Sequence, residues 1–274
     1  MTTSRPIIFY DIASGSTSQT FAPNPWKTRY ALNFKNLPYH TQWVEMIDIP
    51  TVRENLGVPA NRTLPNGKPY HTLPVIQDQS TGKIIGDSFE IALYLDKTYP
   101  DSPRLIHPGT TGLTAAFNAQ VDGLFTKYIT LPDQMALDER LTEQAKKIFA
   151  ERMGTDPYAQ SNPPTAEDRE KTWTQFENAM GELVKAYYHV GGTTDYFWSA
   201  TGTAPAQAQS RGREQVGPYL DGDDEPAYAD LIVGAWLAML WKCMKPQDWQ
   251  RVRGMQGGIW GRLHDTLEPL REIK

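Results

Sequence analysis

Residues that could bind a charged peptide cluster at three places in the first part of the chain. The stretch FAPNPWKTRYALNFK (21–35) starts a predicted helix, whose unpaired N–H groups and dipole favour an anion. Asp87 and Ser88 precede a second predicted helix and offer a carboxylate, a hydroxyl and backbone donors. Between them, TLPVI places Pro74 just before a strand, which favours a cis peptide bond that would turn the N–H and C=O of Leu73 outward.

Taken singly, each feature has a plain structural explanation. Ser88 or Asp87 serves as a helix cap, Asp87 also as a partner of the helix dipole, and Pro74 as the start of an edge strand. Taken together, in this order and spacing, they favour a site for a zwitterionic amino acid. Backbone donors would hold its carboxylate, and Asp87 would hold its ammonium.

Familiar catalytic constellations are absent from the sequence. There is no HExxH, CxxC, GxSxG or P-loop spacing, and the five histidines never pair at the spacing of metal ligands, so we expect no metal. The single cysteine, Cys243, lies in the apolar run LIVGAWLAMLWKCM, which predicts a buried small hydrophobe rather than a nucleophile. The histidines are His40, His71, His107, His189 and His264.

Composition narrows the class of protein. The 274 residues are 39% hydrophobic and 22% charged, with a net charge of −5, which is typical of a globular protein. No basic stripe is present, so we expect neither a nucleic-acid nor a membrane partner. One cysteine and an N-terminus without the apolar core of a signal peptide predict a cytoplasmic protein.

Strands and helices alternate in the first part of the chain, which predicts an α/β arrangement with a mixed sheet. The aromatics Trp26, Tyr30 and Phe34 recur at helical spacing between Asn24 and Asn36. Asn66-Gly67 is typical of a hairpin turn. The predicted order is strand 6–12, loop 13–22, helix 24–36, strand 39–46, short helix 51–57, the Asn-Gly hairpin, a second hairpin from TLPVIQD to KIIGD, and helix 88–100.

After Pro100 strand signals become scarce, which predicts an all-helical second domain. The boundaries we predict are 1–102 and 103–274. AYADLIVGAWLAMLWKCM is apolar nearly all round and predicts a buried central helix. The other predicted elements are helices over 110–135 and 138–153, a helix from a capping box at Thr165–Asp168 to Tyr188, an irregular connection over 190–225, and one or two shorter helices at the end.

These residues, in this order, resemble the glutathione transferase family. LPV (73–75) looks like its cis-proline segment, DSFEI (87–91) its γ-glutamyl-binding motif, and PAYAD (226–230) the N-capping box of its helical domain. FYDI, PNPWKTRYALNFKNLPY and the 62–72 insertion are similar to the fungal etherase-like class called FuA. The resemblance implies a thioredoxin-like N-terminal domain followed by a C-terminal helical bundle that forms the site for a second ligand.

By the resemblance, glutathione is the co-substrate and the protein is a homodimer. Leu73 would bind the cysteinyl backbone, and Asp87 with Ser88 the γ-glutamyl end. Small hydrophobic electrophiles would be conjugated, and aromatic or phenolic compounds would bind. The 62–72 hairpin would lie over the cleft or against a partner subunit. The full set of glutathione-binding candidates is Trp26 and Lys27 (for the glycyl end or the pocket wall), Thr72, Leu73, Pro74, Asp87 and Ser88.

Ala22 departs from the family pattern, which has a hydroxyl or thiol at this position to address the glutathione sulfur. A cysteine thiol has a pKa of about 8.5, so only about 3% is thiolate at pH 7. The helix N-terminus or a nearby donor would have to replace the missing group. We favour Asn24, whose other role is to cap the helix start, over any of the loop hydroxyls. Those hydroxyls belong to Ser14, Ser16, Thr17, Ser18 and Thr20.

A second departure is Ala227, which stands where the helical capping box usually has Ser or Thr. Asp230 would still accept backbone N–H groups. We therefore expect a weak glutathione transferase. The alternative is a non-catalytic ligandin that carries phenolics. Two further hypotheses are weaker. Ether cleavage or deglutathionylation is disfavoured because no cysteine lies near the first helix, as disulfide exchange would need. A non-enzymatic interaction module is disfavoured because the other glutathione motifs are intact.

Overall fold

The computed structural model describes residues 5–13, 20–64, 66–132, 147–148, 150–151, 165–188, 219–220 and 225–274. Six strands lie in the first part of this range. They are β1 (Ile7–Ile12), β2 (Tyr39–Val44), β3 (Arg62–Thr63), β4 (Pro69–Tyr70), β5 (Val75–Asp78) and β6 (Lys83–Gly86).

Four of these strands form the predicted mixed sheet, in the order β2-β1-β5-β6. β1 runs parallel to β2, while the β1–β5 and β5–β6 pairs are antiparallel. The β5–β6 pair is the second predicted hairpin. The Asn66-Gly67 hairpin also forms, as a separate two-stranded ribbon of β3 and β4.

The other regular elements of the described chain are helices. In the first part, α1 and α3 pack against each other. The predicted capping box forms, because Thr165 Oγ1 accepts from Asp168 N while Asp168 Oδ2 accepts from Thr165 N. The helices are α1 (Pro23–Phe34), α2 (Ile49–Asn55), α3 (Ser88–Thr98), α4 (Thr111–Lys127), α5 (Ala166–Tyr188), α6 (Tyr228–Cys243) and α7 (Pro246–Thr266), with 3-10 turns at Met46–Asp48 and Glu268–Arg271.

The helices after residue 110 agree with the prediction in part. The helix predicted over 110–135 ends at Lys127, where Tyr128 leaves the helical conformation and Pro132 follows shortly after. α7 is interrupted at Met255–Gly258, so it consists of two shorter helical pieces, as predicted. The helix over 138–153 lies outside the described residues except at 147–148 and 150–151, and the connection over 190–225 except at 219–220 and 225.

The buried residues form two apolar clusters. The larger joins the sheet, α1 and α3 to the helical part, and α6 is buried within it on nearly every side. The smaller lies at the start of α1 and holds Ile12, Ala22, Val44, Met46, Ile49, Leu73 and Val75. Among the helices that the structure describes, none is long and apolar enough to cross a membrane.

Candidate functional site

The start of α1 lacks a side-chain cap. Ala22 is the N-cap residue; it is 8% exposed, and its methyl group packs in the smaller apolar cluster. Pro23 and Pro25 have no N–H, and Trp26 N–H already bonds to the Ala22 carbonyl at 3.3 Å. Asn24 is therefore the one residue within the first three helical positions that offers a backbone N–H. Its side-chain amide has no hydrogen-bond partner among the described residues.

Three buried ion pairs fix the position of α1 in three directions. The cations are fully buried or nearly so, and each partner belongs to a different element: β1, α3 or α4. A helix held in this way presents its N-terminus at a defined place. The pairs are Arg29 Nη2 to Asp11 Oδ2 at 2.7 Å, Lys35 Nζ to Asp96 Oδ1 at 2.9 Å, and Lys27 Nζ to Asp122 Oδ1 at 2.6 Å.

The Asp11 carboxylate also holds Thr20, two residues before the N-cap of α1. Its Oδ1 accepts from Thr20 Oγ1 at 3.1 Å and from Ile12 N at 2.7 Å. Burial raises the pKa of Asp11, and the Arg29 guanidinium opposes that rise. Because Thr20 gives its hydroxyl proton to Asp11, it has none left for a sulfur anion. The other candidate hydroxyls, Ser14, Ser16, Thr17 and Ser18, lie outside the described residues.

The peptide bond between Leu73 and Pro74 is cis, as predicted. Leu73 is 2% exposed, and its side chain packs in the same cluster as Ala22. Within the described part of the chain, neither its N–H nor its C=O has a hydrogen-bond partner. The Arg53 guanidinium holds the segment by donating to the carbonyls of Thr72 and Pro59. An open donor–acceptor pair therefore lies next to the start of α1.

Asp87 is the cap of α3. Its Oδ1 accepts from Phe89 N at 2.8 Å and Glu90 N at 3.4 Å, and its φ of 85° lies in the left-handed region. Its own N–H donates to the Pro74 carbonyl at 3.3 Å, which joins the start of α3 to the cis segment. Ser88 is 5% exposed. The three features singled out in the sequence therefore meet at one place.

The base of the β3–β4 hairpin lies beside Asp87. Asn61 Nδ2 donates to Asp87 Oδ2 at 3.3 Å, and Thr72 Oγ1 donates to Asn61 Oδ1 at 3.2 Å. The Thr72 hydroxyl thus bonds to the residue that precedes the hairpin. Asn61 lies beside the site, and the sequence analysis did not identify it. Nothing in its local sequence distinguishes Asn61 from an ordinary loop residue.

Trp26 and Lys27 are both buried in α1. Trp26 is 2% exposed and packs on Tyr30 with ring centroids 5.3 Å apart. Lys27 Nζ is committed to Asp122 and, at 2.7 Å, to Asn118 Oδ1. Burial lowers the pKa of Lys27, and Asp122 opposes that change. Their predicted contact with the glycyl end stays a prediction.

Two further predictions concern residues outside this site, the cap of α6 at Asp230 and the burial of Cys243. Asp230 accepts from Ala227 N at 3.1 Å and from Leu220 N at 2.9 Å, so it caps α6 despite the alanine. Cys243 is 4% exposed, and burial raises the pKa of its thiol to about 12, which confirms a buried hydrophobe. In the described residues no group of three or more His, Cys, Asp or Glu could hold a metal ion.

Two protein-family models match the chain, one over the part that contains the sheet and one over the helical part. Residues 21–98 match the glutathione S-transferase N-terminal domain, and residues 112–270 match the glutathione S-transferase C-terminal domain. The chain belongs to the glutathione S-transferase family. Its thioredoxin-like sheet and its helical second part are the architecture of that family.

Similar structures are fungal glutathione S-transferases. The enzyme CsGST63524 of Ceriporiopsis subvermispora, solved in complex with glutathione, is 32% identical, with a TM-score of 0.79 over 98% of this chain and 99% of that one. GSTFuA3 of Phanerochaete chrysosporium is 29% identical, with a TM-score of 0.79 over 99% and 100%. The glutathione S-transferase-like protein ustS of Aspergillus flavus is 28% identical over 98% of this chain and 94% of its own length.

Proposed function

We propose that this glutathione S-transferase family member binds glutathione where α1, the cis segment and α3 meet, and conjugates it to small hydrophobic electrophiles. The observation that carries the proposal is the main chain of Leu73 between two helix starts, where neither the N–H nor the C=O has a partner among the described residues. An extended cysteinyl residue pairs with such a donor and acceptor as a strand would. Asp87 and Ser88 then meet the γ-glutamyl end. The glutathione complex of the related CsGST63524 supports the assignment.

Asn24 takes the role of the missing hydroxyl in this proposal. It combines a side-chain amide that has no hydrogen-bond partner among the described residues with the N–H of a first turn in which two prolines have removed the others. A hydrogen bond to a charged acceptor contributes roughly 1.5–3 kcal/mol, which corresponds to one to two pKa units. The macrodipole of α1 adds roughly 0.3–1 kcal/mol. Together they bring the thiol of bound glutathione close to half ionised at pH 7.

The proposal also includes a site for the second ligand. We assign it to the helical part of the chain, as the family architecture implies, with aromatic or phenolic compounds as binders and a homodimer as the assembly. Orientation of a preformed thiolate towards an electrophile is sufficient chemistry for conjugation. No general base needs to take a proton from the sulfur during conjugation, because the bound thiol has already released it to solvent.

The experiment is a pH titration of the thiolate absorbance of bound glutathione in three variants. Asn24→Ala removes the amide and should raise the thiol pKa by about one unit, so that the thiolate fraction, and with it the rate of conjugation at pH 7, falls about fivefold. Ala22→Ser restores a hydroxyl and should lower the thiol pKa while glutathione affinity stays the same. Asn55→Ala, at an exposed asparagine that ends α2, is the matched control and should change nothing. An unchanged thiol pKa in Asn24→Ala would remove Asn24 from the site.

A further inference from the structure

Tyr228 connects the helical part of the chain to the start of α3. The side chain is 0% exposed, and its hydroxyl donates to the main-chain carbonyl of Ser88 at 2.7 Å. Its own N–H donates to the Leu105 carbonyl at 2.8 Å, and its ring meets the edge of Phe89 at 5.9 Å. As the first residue of α6, it belongs to the most buried of the helices that the structure describes.

The carbonyl that Tyr228 holds follows directly after an unusual backbone conformation. Asp87 has a φ of 85°, which is uncommon for any residue but glycine and is not favoured by local sequence. Contacts from outside the segment must therefore support it. The hydroxyl of Tyr228 and its ring edge supply two such contacts, on Ser88 and Phe89.

The hydroxyl of Tyr228 stays protonated and so remains a donor. Burial raises its pKa well above the usual value, and the Asp87 and Asp122 carboxylates raise it further. A carbonyl oxygen can accept this bond in addition to the helical one, because it has two lone pairs.

We infer that Tyr228 is a positioning residue of the glutathione site, which fixes Asp87 and Ser88 from the helical part without touching the ligand. The inference rests on the proposed function. It assigns the helical part a share in glutathione affinity, in addition to holding the second ligand. The hydrogen bond joins residues 140 positions apart in the chain, so no local sequence motif predicts it.

Tyr228→Phe is the test, because it removes one oxygen and keeps the ring against Phe89. Tyr128→Phe is the matched control: Tyr128 is 6% exposed and its hydroxyl also donates to a main-chain carbonyl, that of Gln175 at 3.2 Å, but entirely within the helical part. We expect Tyr228→Phe to weaken glutathione binding about tenfold, since a buried carbonyl loses a partner. The KM for glutathione should rise by the same factor while kcat at saturation changes less than about twofold.

Hydrogen exchange gives a second readout that does not need turnover. The amides of Phe89 and Glu90, which bond to Asp87, should exchange faster in Tyr228→Phe and at the wild-type rate in Tyr128→Phe. Wild-type affinity in Tyr228→Phe, or an equal loss in both variants, overturns the inference and leaves the proposed function standing. A wild-type protein that does not bind glutathione overturns the proposed function, and this inference with it.

Discussion

The two buried helices α1 and α6 pack against each other but are held in place by different forces. α1 buries Lys27 and Arg29 along its length, and Lys35 just after its end, each paired with a carboxylate on another element. α6 buries a nearly continuous apolar surface and no cation. Ion pairs are directional, whereas apolar packing is not.

This difference matches what each helix does. α1 must present Ala22 and Asn24 at one place beside Leu73, and three ion pairs in three directions define that place. α6 fills the centre of the molecule, and it makes two polar contacts that bear on the site. Tyr228 in its first turn bonds to Ser88, and Trp236 Nε1 donates at 2.7 Å to Asp122, the partner of Lys27. Breaking an ion pair of α1 should therefore change both stability and the site, while disturbing α6 away from Tyr228 and Trp236 should change stability alone.

The largest effect is expected for Asp11→Ala. Removal of one partner of a buried pair leaves Arg29 uncompensated and costs about 3–5 kcal/mol of unfolding free energy. The variant also loses the bond from Thr20, so the loop before α1 is released and glutathione affinity should fall. Urea unfolding and binding calorimetry measure the two effects.

Arg253→Ala is the control for that experiment. Its pair with Asp265 is geometrically as close, at 2.7 Å, but both side chains are partly exposed, so its loss should cost less than about 1 kcal/mol. If Asp11→Ala does not fold, Asp11→Asn keeps acceptors for Thr20 and Ile12 and should show a smaller loss of the same kind. Equal effects at Asp11 and Arg253 would contradict the directional role of the buried pair.

A pH-dependent effect is expected where α7 packs on the end of α6. His264 is 4% exposed between Trp241 and Trp249. Burial, and then the nearby Arg271, lower its pKa to about 4, with Asp265 acting against them and Arg253 with them. Below pH 6.5, His264 binds a proton in the unfolded chain but not in the folded chain. The free energy of unfolding therefore falls as pH falls towards 4.

The loss at His264 is at most about 3 kcal/mol, from about 1.4 kcal/mol per pKa unit. His264→Gln should unfold with a shallower pH dependence between pH 6.5 and 4, and the two curves should run parallel above pH 7. Urea midpoints at several pH values supply the comparison. Parallel curves throughout would show that folding leaves the pKa of His264 unchanged, and would contradict the expected loss of stability at low pH.

The smallest effect is expected for Gly234→Ala in the middle of α6. An added Cβ would lie 2.2 Å from Leu267 Cδ1 and 3.6 Å from the Tyr30 ring, so Leu267 must shift. Overpacking costs roughly 1–3 kcal/mol, and better helix propensity offsets about 1. We expect a net loss of about 1–2 kcal/mol in urea unfolding with glutathione affinity unchanged. Weaker glutathione binding would mean that α6 packing also sets the position of α1.

Local signals in the sequence predicted much of this structure. The helix start at Pro23, the Asn66-Gly67 hairpin and the cis bond before Pro74 each depend on residues that are neighbours in the chain. The same holds for the cap at Asp87 and the buried run of α6. These features follow from turn chemistry, capping and hydrophobic periodicity.

The contacts that position the site could not be predicted in this way. Asp122 reaches Lys27 from another helix, Tyr228 reaches Ser88, and Lys274 O accepts from Thr41 N at the edge of the sheet. Each of these contacts joins distant parts of the chain. The residues next to an Asp or Tyr in a helix do not indicate which distant residue it will contact. The role proposed for Asn24, by contrast, depends on a local feature, its place in the first turn between two prolines that have no N–H.

The central claim is that the start of α1 ionises glutathione without a serine at position 22. Binding of glutathione to the wild-type protein at pH 7, measured by calorimetry in two buffers of different ionisation enthalpy, counts the protons released. A thiol pKa lowered by one to two units predicts release of about a quarter to three quarters of a proton. Binding without proton release would contradict the claim and leave a protein that carries glutathione as a neutral thiol.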